Sequence, residues 1–302
     1  MSFASQEYFT LLFTLCDVTN LDQQIFVDWH VENADILASL LAGLVTSADT
    51  GNEDLVVVSR AALARFCEAS SSPVITSTTS GTAPSNCQGE AQRQQSNLVL
   101  VANALVNNLR QYIQENQDRV VLPTLEVIAY LFHIGIFPGF HDFDQVPGDH
   151  ITPTGEANSD PINLKRLCVL VQKAGYKTGS VRKLEACVRV YGEISRLEIA
   201  CNATPPSAPA NNLQKRREGV AEAKKRLAAL LLHPWPRVRS AVVDELWILL
   251  LCQATATHSA QDDGQHDVVD QKQRHLAGVD WSKADKVKVK TLVENLGLGH
   301  VA

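Results

Sequence analysis

Apolar residues in this chain recur every third and fourth position, and alternation at every second position is almost absent. That spacing constrains the fold more than any motif does, because a helix face repeats every 3.6 residues and a strand face every 2. Leu98, Val101, Ala102, Leu105, Leu109 and Tyr112 fall at i, i+3, i+4, i+7, i+11 and i+14. They mark one face of a helix of about four turns. Further on, Val181, Leu184, Val188 and Tyr191 make one stripe, and Cys187, Val190, Ile194 and Leu197 make a second on the same segment. A helix apolar over so wide an arc is packed on more than one side. The best strand candidate, Asp54 to Ser59, runs straight into Arg60-Ala61-Ala62-Leu63-Ala64-Arg65-Phe66, which reads as helix.

The predicted helices come in pairs: 31–46 with 53–68, 92–115 with 119–134, 161–174 with 180–200, and 213–232 with 236–252. A last helix spans 282–296, with Asp280 and Ser282 as candidate N-caps. Such pairs bury their apolar faces on the next pair along. The expected fold is therefore all-α, a HEAT/armadillo-like helical-repeat solenoid (an α-α superhelix) over residues 1–302. Between the pairs, 70–90 is rich in Ser, Thr and Pro, and 138–160 in Gly, Pro and Asp. The segment 202–212 carries three prolines, and 253–265 is polar. All four are expected to be disordered insertions. A solenoid edge tolerates them because loop-closure cost grows slowly with length. At the other end, apolar residues begin at Phe3 and fill 8–16 with no polar cap before them. A terminal repeat needs a polar outer face, so the chain is expected to be one end of a longer stack.

Bulk properties exclude several functions. The chain has 302 residues, is 45% hydrophobic and has a net charge of -6. That is enough apolar material for a core, and no basic patch dominates the charge, so nucleic acid is not an expected partner. No apolar run approaches a bilayer's width and no targeting segment is visible, so a membrane is excluded and the cytoplasm is the expected compartment. The seven cysteines are odd in number and lack a Cys-x-x-Cys pair, as expected of buried free thiols in a reducing compartment. The Asn202-Ala203-Thr204 sequon is then expected to be unmodified.

The most informative segment runs from Lys225 to Trp247. It reads as a helix through Leu227, Leu230 and Leu231, the turn His233-Pro234-Trp235-Pro236-Arg237-Val238-Arg239, and a second helix. Pro236 suits a first helical turn, where its missing N–H costs nothing. Val238, Ala241, Val242 and Leu249 share a face with Glu245 and are expected to pack on the three leucines. The order turn, Pro, x, Val-Arg, x, x, Ala is that of a HEAT inner helix. His233, Pro234, Trp235, Pro236, Arg237 and Arg239 are thus expected to join one repeat to the next, with direct partner binding as the alternative role.

The same turn resembles the His-Pro-aromatic-Pro-x-aliphatic-Arg block of the tubulin-folding cofactor D family, near that family's C-terminus. A second block agrees. Arg119-Val120-Val121-Leu122-Pro123-Thr124-Leu125, continuing to Leu131-Phe132-His133-Ile134-Gly135-Ile136-Phe137, is similar to the family's Arg-Val-x-x-Pro-x-Leu … Leu-Leu-x-x-Gly-x-Phe helix. A third is Lys165-Arg166-Leu167-Cys168 followed by Ser180-Val181-Arg182-Lys183-Leu184. The blocks span about 119–250 in the family's order, and the N-terminal quarter matches less clearly. The resemblance implies a cytosolic HEAT-like chaperone that takes up β-tubulin and brings it to α-tubulin held by cofactor E. Cofactor C then joins, the assembly stimulates GTP hydrolysis by tubulin, and a small Arf-like GTPase also binds. The family is several times longer, so this chain corresponds to its C-terminal part.

Chemistry-bearing motifs are few. The run 141–150 packs two His and three Asp together, but it has no helix to rigidify ligands and no recognised ligand spacing. No metal or other cofactor is expected. Gly175-Tyr176-Lys177-Thr178-Gly179-Ser180 lacks the full phosphate-binding pattern and reads as a helix–helix turn. No nucleophile elbow or zincin motif occurs, so no catalytic residue is assigned and the chain is not expected to be an enzyme. Lys215, Arg216 and Arg217 with Lys224, Lys225 and Arg226 make one basic helix, partly neutralised by Glu218 and Glu222. Lys283, Lys286, Lys288 and Lys290 make another. Both are solvated faces by default and candidate docking surfaces for an acidic protein such as tubulin. The alternative reading is an unrelated HEAT-repeat scaffold or adaptor for protein–protein interaction.

Overall fold

The computed structural model describes residues 34–48, 53–69, 97–137, 163–203, 210–260, 263–281, 283 and 286–298. Among them every regular element is an α-helix: α1 Ala34–Ser47, α2 Glu53–Ala69, α3 Asn97–Gln114, α4 Asp118–His133, α5 Leu164–Gly175, α6 Val181–Ala203, α7 Ala210–Leu231, α8 Pro236–Ala260, α9 Asp263–Ala277 and α10 Lys286–Asn295. They fall into two compact units, Met1–Gln111 and Tyr112–Ala302.

In the first unit α1 packs on α2. Their spacing buries Leu41, Leu44, Val45, Leu63 and Phe66. Ser59, in the stretch nearest to a strand pattern, is fully buried within α2 and donates its hydroxyl to the Leu55 carbonyl at 2.6 Å. That bond satisfies the polar group where water cannot. In α3 the predicted stripe is inward, with Val101, Ala102, Leu105 and Leu109 buried.

The second unit is a stack of helical hairpins. α5 and α6 form one and α7 and α8 the next; α5 packs on α7, α6 packs on α8, and α4 packs on the opposite flank of α6. So α4, α6 and α8 make one layer and α5 and α7 the other, the arrangement of a helical-repeat solenoid. Both apolar stripes of α6 are buried apart from half-buried Val181, because α6 has α4, α5, α7 and α8 around it. Where α7 crosses α5 the backbones come close. A Cβ at Gly219 would overlap the Leu164 Cβ and lie 3.3 Å from Leu164 backbone atoms.

Local chemistry sets the helix ends. Asn163 accepts from the Arg166 N–H at 2.8 Å and caps α5. Ser180 caps the start of α6, its hydroxyl accepting from the Lys183 N–H at 3.3 Å. The segment 175–180 is therefore a turn between two helices. α4 carries Pro123 in its interior, and its C-terminus turns on Gly135 at φ 81°, a left-handed conformation that side chains disfavour. The N–H groups of Ile136 and Phe137 return to the Leu131 carbonyl at 3.0 and 3.2 Å. Phe137 is thereby folded back edge-on to Phe132, with ring centroids 5.4 Å apart. The glycine and final phenylalanine of that block thus have a structural role in closing the helix.

Two expected insertions, 70–90 and 138–160, lie outside the described residues. The other two are shorter than expected, since α6 continues to Ala203 and α7 begins at Ala210. Most of 253–265 is helix: α8 extends to Ala260, and α9 opens at Asp263 and packs back on it. Residues 253–260 are polar but contain neither Gly nor Pro, so nothing there stops a helix. The last helix is confined to Lys286–Asn295.

Candidate partner-binding surfaces

The turn between α7 and α8 is built from its own motif. The His233 N–H returns to the Leu230 carbonyl at 3.1 Å, and the Trp235 N–H donates to His233 Nδ1 at 3.2 Å. The two rings meet edge to face at 4.9 Å. Arg239 donates to the His233 carbonyl at 3.3 Å. Partial burial and the Arg239 charge lower the His233 pKa, which keeps Nδ1 available as an acceptor. Arg237 reaches back to Glu185 of α6 at 2.7 Å. Below the turn Val238, Val242 and Leu249 are buried together with Leu227 and Leu231, whereas Leu230 and Ala241 are half-buried. The segment therefore locks one hairpin to the preceding one; Pro234 and Pro236 are exposed and Trp235 is half-buried.

α6 carries a row of ion pairs to the helices beside it. Lys183 meets Asp118 of α4 at 2.6 Å, Arg189 meets Glu126, and Glu193 meets His133 at 2.9 Å. Arg196 bridges Glu193 and Glu245 of α8. Gly192 makes room for that last pair, since a Cβ there would collide with the Glu245 carboxylate. Burial pushes the Glu245 pKa up to about 7, against the opposing pull of Arg196. These charges hold the layer together and are not a free surface. Cys168 and Cys187 are likewise internal. Burial pushes the Cys187 thiol up to about 12 and the Cys168 thiol still higher, so neither is a ready nucleophile.

The basic helix α7 is less basic outside than its sequence. Arg216 is buried. Lys224 is paired with Glu198 at 2.6 Å, and Arg226 with Glu222 of its own helix. Lys215, Arg217 and Lys225 are exposed. Arg216 is thus a correction to the predicted docking face, since it is buried, and Lys224 leaves the outer face of α7 for its pair with Glu198 of α6. At the other basic helix, Lys283, Lys288 and Lys290 are exposed, with Lys283 4.0 Å from Asp280. The Lys286 side chain and residues 141–150 lie outside the described residues. Among those described, no group of His, Cys, Asp and Glu is placed to hold a metal, and no helix is long and apolar enough to cross a membrane.

Two features escaped the sequence reading. One is an exposed apolar ridge, Trp247, Ile248 and Leu251, on α8. The other is α9, which carries Lys272 to within Coulombic reach of Lys224 and Glu198. Its signal was weak but present: Val269 and Leu276, both buried, lie seven residues apart.

Two hairpins stacked layer on layer, with the Pro, x, Val-Arg order at the start of α8, match the helical-repeat fold expected from the sequence. The family model described as "Tubulin folding cofactor D C terminal" matches residues 3–183, more than half of the chain. The chain belongs to the tubulin folding cofactor D family. No curated protein matches the chain. The cofactor D match includes the N-terminal quarter, where the motifs were least clear, and the 119–137 block. It ends at residue 183, so the 233–239 turn and all of α7–α10 lie beyond it.

Proposed function

We propose that this chain acts as a tubulin-folding chaperone segment. It binds β-tubulin and, with cofactors C and E, takes part in assembling the α/β-tubulin heterodimer. The observation that carries this reading is the cofactor D match over residues 3–183. The stacked hairpins of the second unit support it, since solenoids bind through extended surfaces made by successive repeats. On this reading the chain is not itself an enzyme. It contributes to stimulating tubulin's GTPase only within the larger complex, where an Arf-like GTPase is a further partner, and it works in the cytoplasm. The exposed cations Arg217 and Lys225 of α7 suit an acidic partner. The test is capture of purified tubulin, and separately of cofactors C and E, by the tagged full chain at low salt. Retention of tubulin that falls as salt rises is the expected result. Capture of none of the three would leave the family membership standing and remove this function.

A further inference from the structure

α9 packs on α8 and helps to enclose a cavity of about 210 Å³ shared with α6, α7 and the turn after α10. Leu246, Leu249 and Leu250 of α8 give it an apolar wall. Four polar side chains from four different helices complete the lining: Glu198, Lys224, Gln253 and Lys272. One Glu198 oxygen accepts from Lys224 at 2.6 Å and from Gln253 at 3.0 Å, so its charge is already matched. Lys272 is the remainder. It is half-buried, and no described residue gives it a hydrogen bond or an ion pair. Its ammonium lies against the backbone at Gly297, 3.7 Å from where a Cβ would stand. Burial and the neighbouring Lys224 both disfavour its charge, and only Glu198 opposes them. The cavity thus presents two cations to one anion beside an apolar wall.

We propose that this cavity receives an acidic side chain of a protein partner, its carboxylate between Lys272 and Lys224 and an adjoining apolar group on the leucines. The occupant's class follows from charge and size. One surplus positive charge matches a monoanion. The cavity is smaller than the range of about 300–1,000 Å³ usual for small-molecule sites, which suits a side chain better than a nucleotide. A dianionic phosphate finds no arginine fork among these residues, and α10 turns its carbonyl end toward the 296–298 wall, where the dipole opposes a second negative charge. The leucines exclude water and so strengthen the carboxylate–ammonium contact. All these residues lie beyond the segment that matches the family. The inference rests on the reading of the chain as a protein-binding solenoid, and adds where and through which chemistry it binds.

The experiment uses the full chain and a fluorescein-labelled peptide with a Leu-Glu-Leu core, beside a twin carrying Gln for Glu, read by anisotropy at low salt. The Glu peptide should bind and the Gln twin should bind about tenfold more weakly, the loss of one charge-assisted contact. Lys272→Met should weaken the Glu peptide about tenfold too, with an unchanged or higher melting temperature, because a half-buried charge with no ion pair among the described residues is removed. In the wild-type chain the Lys272 side-chain NMR titration should move to higher pH when the Glu peptide is bound; this readout needs no variant. Equal binding of the twins, wild-type affinity in Lys272→Met or an unmoved Lys272 titration would each overturn the site. Tubulin capture is measured in parallel. Capture without peptide binding removes this site alone; peptide binding without tubulin capture supports the site and removes the tubulin reading.

Discussion

At the scale of single residues, the contact between α6 and α8 depends on a small residue and a strained titration. Gly192 lets the Glu245 carboxylate come down onto the α6 backbone beside Arg196. Burial holds that carboxyl's pKa up at about 7, above its ordinary value of 4.5. The folded state therefore binds the proton more tightly than the unfolded state between those values. Its contribution is fully present below the ordinary carboxylate pKa and is lost as pH rises through about 7. Glu245→Gln keeps the shape without the titration. Melting curves from pH 5 to 8 should show wild type losing about 1–3 kcal/mol more than the variant over that window; parallel curves would mean that Arg196 holds Glu245 ionised throughout. Gly219 is a second such position. Gly219→Ala should cost about 1–3 kcal/mol by forcing α7 off Leu164, whereas Gly179, with nothing within 4 Å of a built Cβ, should accept Ala with little change in the melt. Neither demand was legible in the sequence, because a close approach between helices distant in the chain leaves no local signature. The same limit explains Arg216 and Lys224. Their charge was plain, but which way α7 would turn them depended on Glu198 and on neighbours packed from elsewhere.

At the scale of elements, local signals located most of the helices. The stripes of α3 and α6 and the Pro236 start all act within a turn or two of chain, and a reader of the sequence meets the same information as the backbone does. The 253–265 segment shows where that stops. Its polarity suggested a loop, yet α8 continues to Ala260 because one face of a helix at a solenoid edge is free to be polar, and only Gly or Pro would have ended it. The α7–α8 hairpin offers the sharpest test of an element. Val238 is fully buried just after the turn that Arg239 and His233 close. Val238→Asp places an unpaired carboxylate there at a cost of several kcal/mol, about the whole stability of a domain. Loss of helical circular dichroism and rapid proteolysis between α7 and α8 are expected. Arg237→Ala should change the melt by no more than about 1 kcal/mol, since its side chain is 76% exposed at its pair with Glu185. A melt unmoved by Val238→Asp would mean that α8 presents another face to α7.

At the scale of the whole molecule, the candidate surface was less legible than the fold, because exposure is what remains after every helix has chosen its neighbours. The basic composition of α7 pointed to docking, but packing withdraws Arg216 and Lys224 and leaves Arg217 and Lys225 exposed. This decides how binding should be probed. Reversing Arg216 or Lys224 would disturb the stack and lower binding for a structural reason. Arg217→Glu with Lys225→Glu alters two exposed charges eight residues apart and leaves the core untouched. If the tubulin reading is right, this double variant should keep the wild-type melt and helical content yet bind tubulin several-fold more weakly at low salt. The difference should shrink as ionic strength rises from about 50 mM to about 300 mM, because the Debye length then falls below about 10 Å and screens exposed charges. On the same reading, GTP hydrolysis by tubulin should be unchanged by the chain alone at any salt. Sedimentation of tubulin with each variant across the salt series checks the first expectation, and phosphate release checks the second. Identical salt dependence in wild type and double variant would move the contact off Arg217 and Lys225, toward the Lys272 cavity or the exposed ridge of Trp247, Ile248 and Leu251.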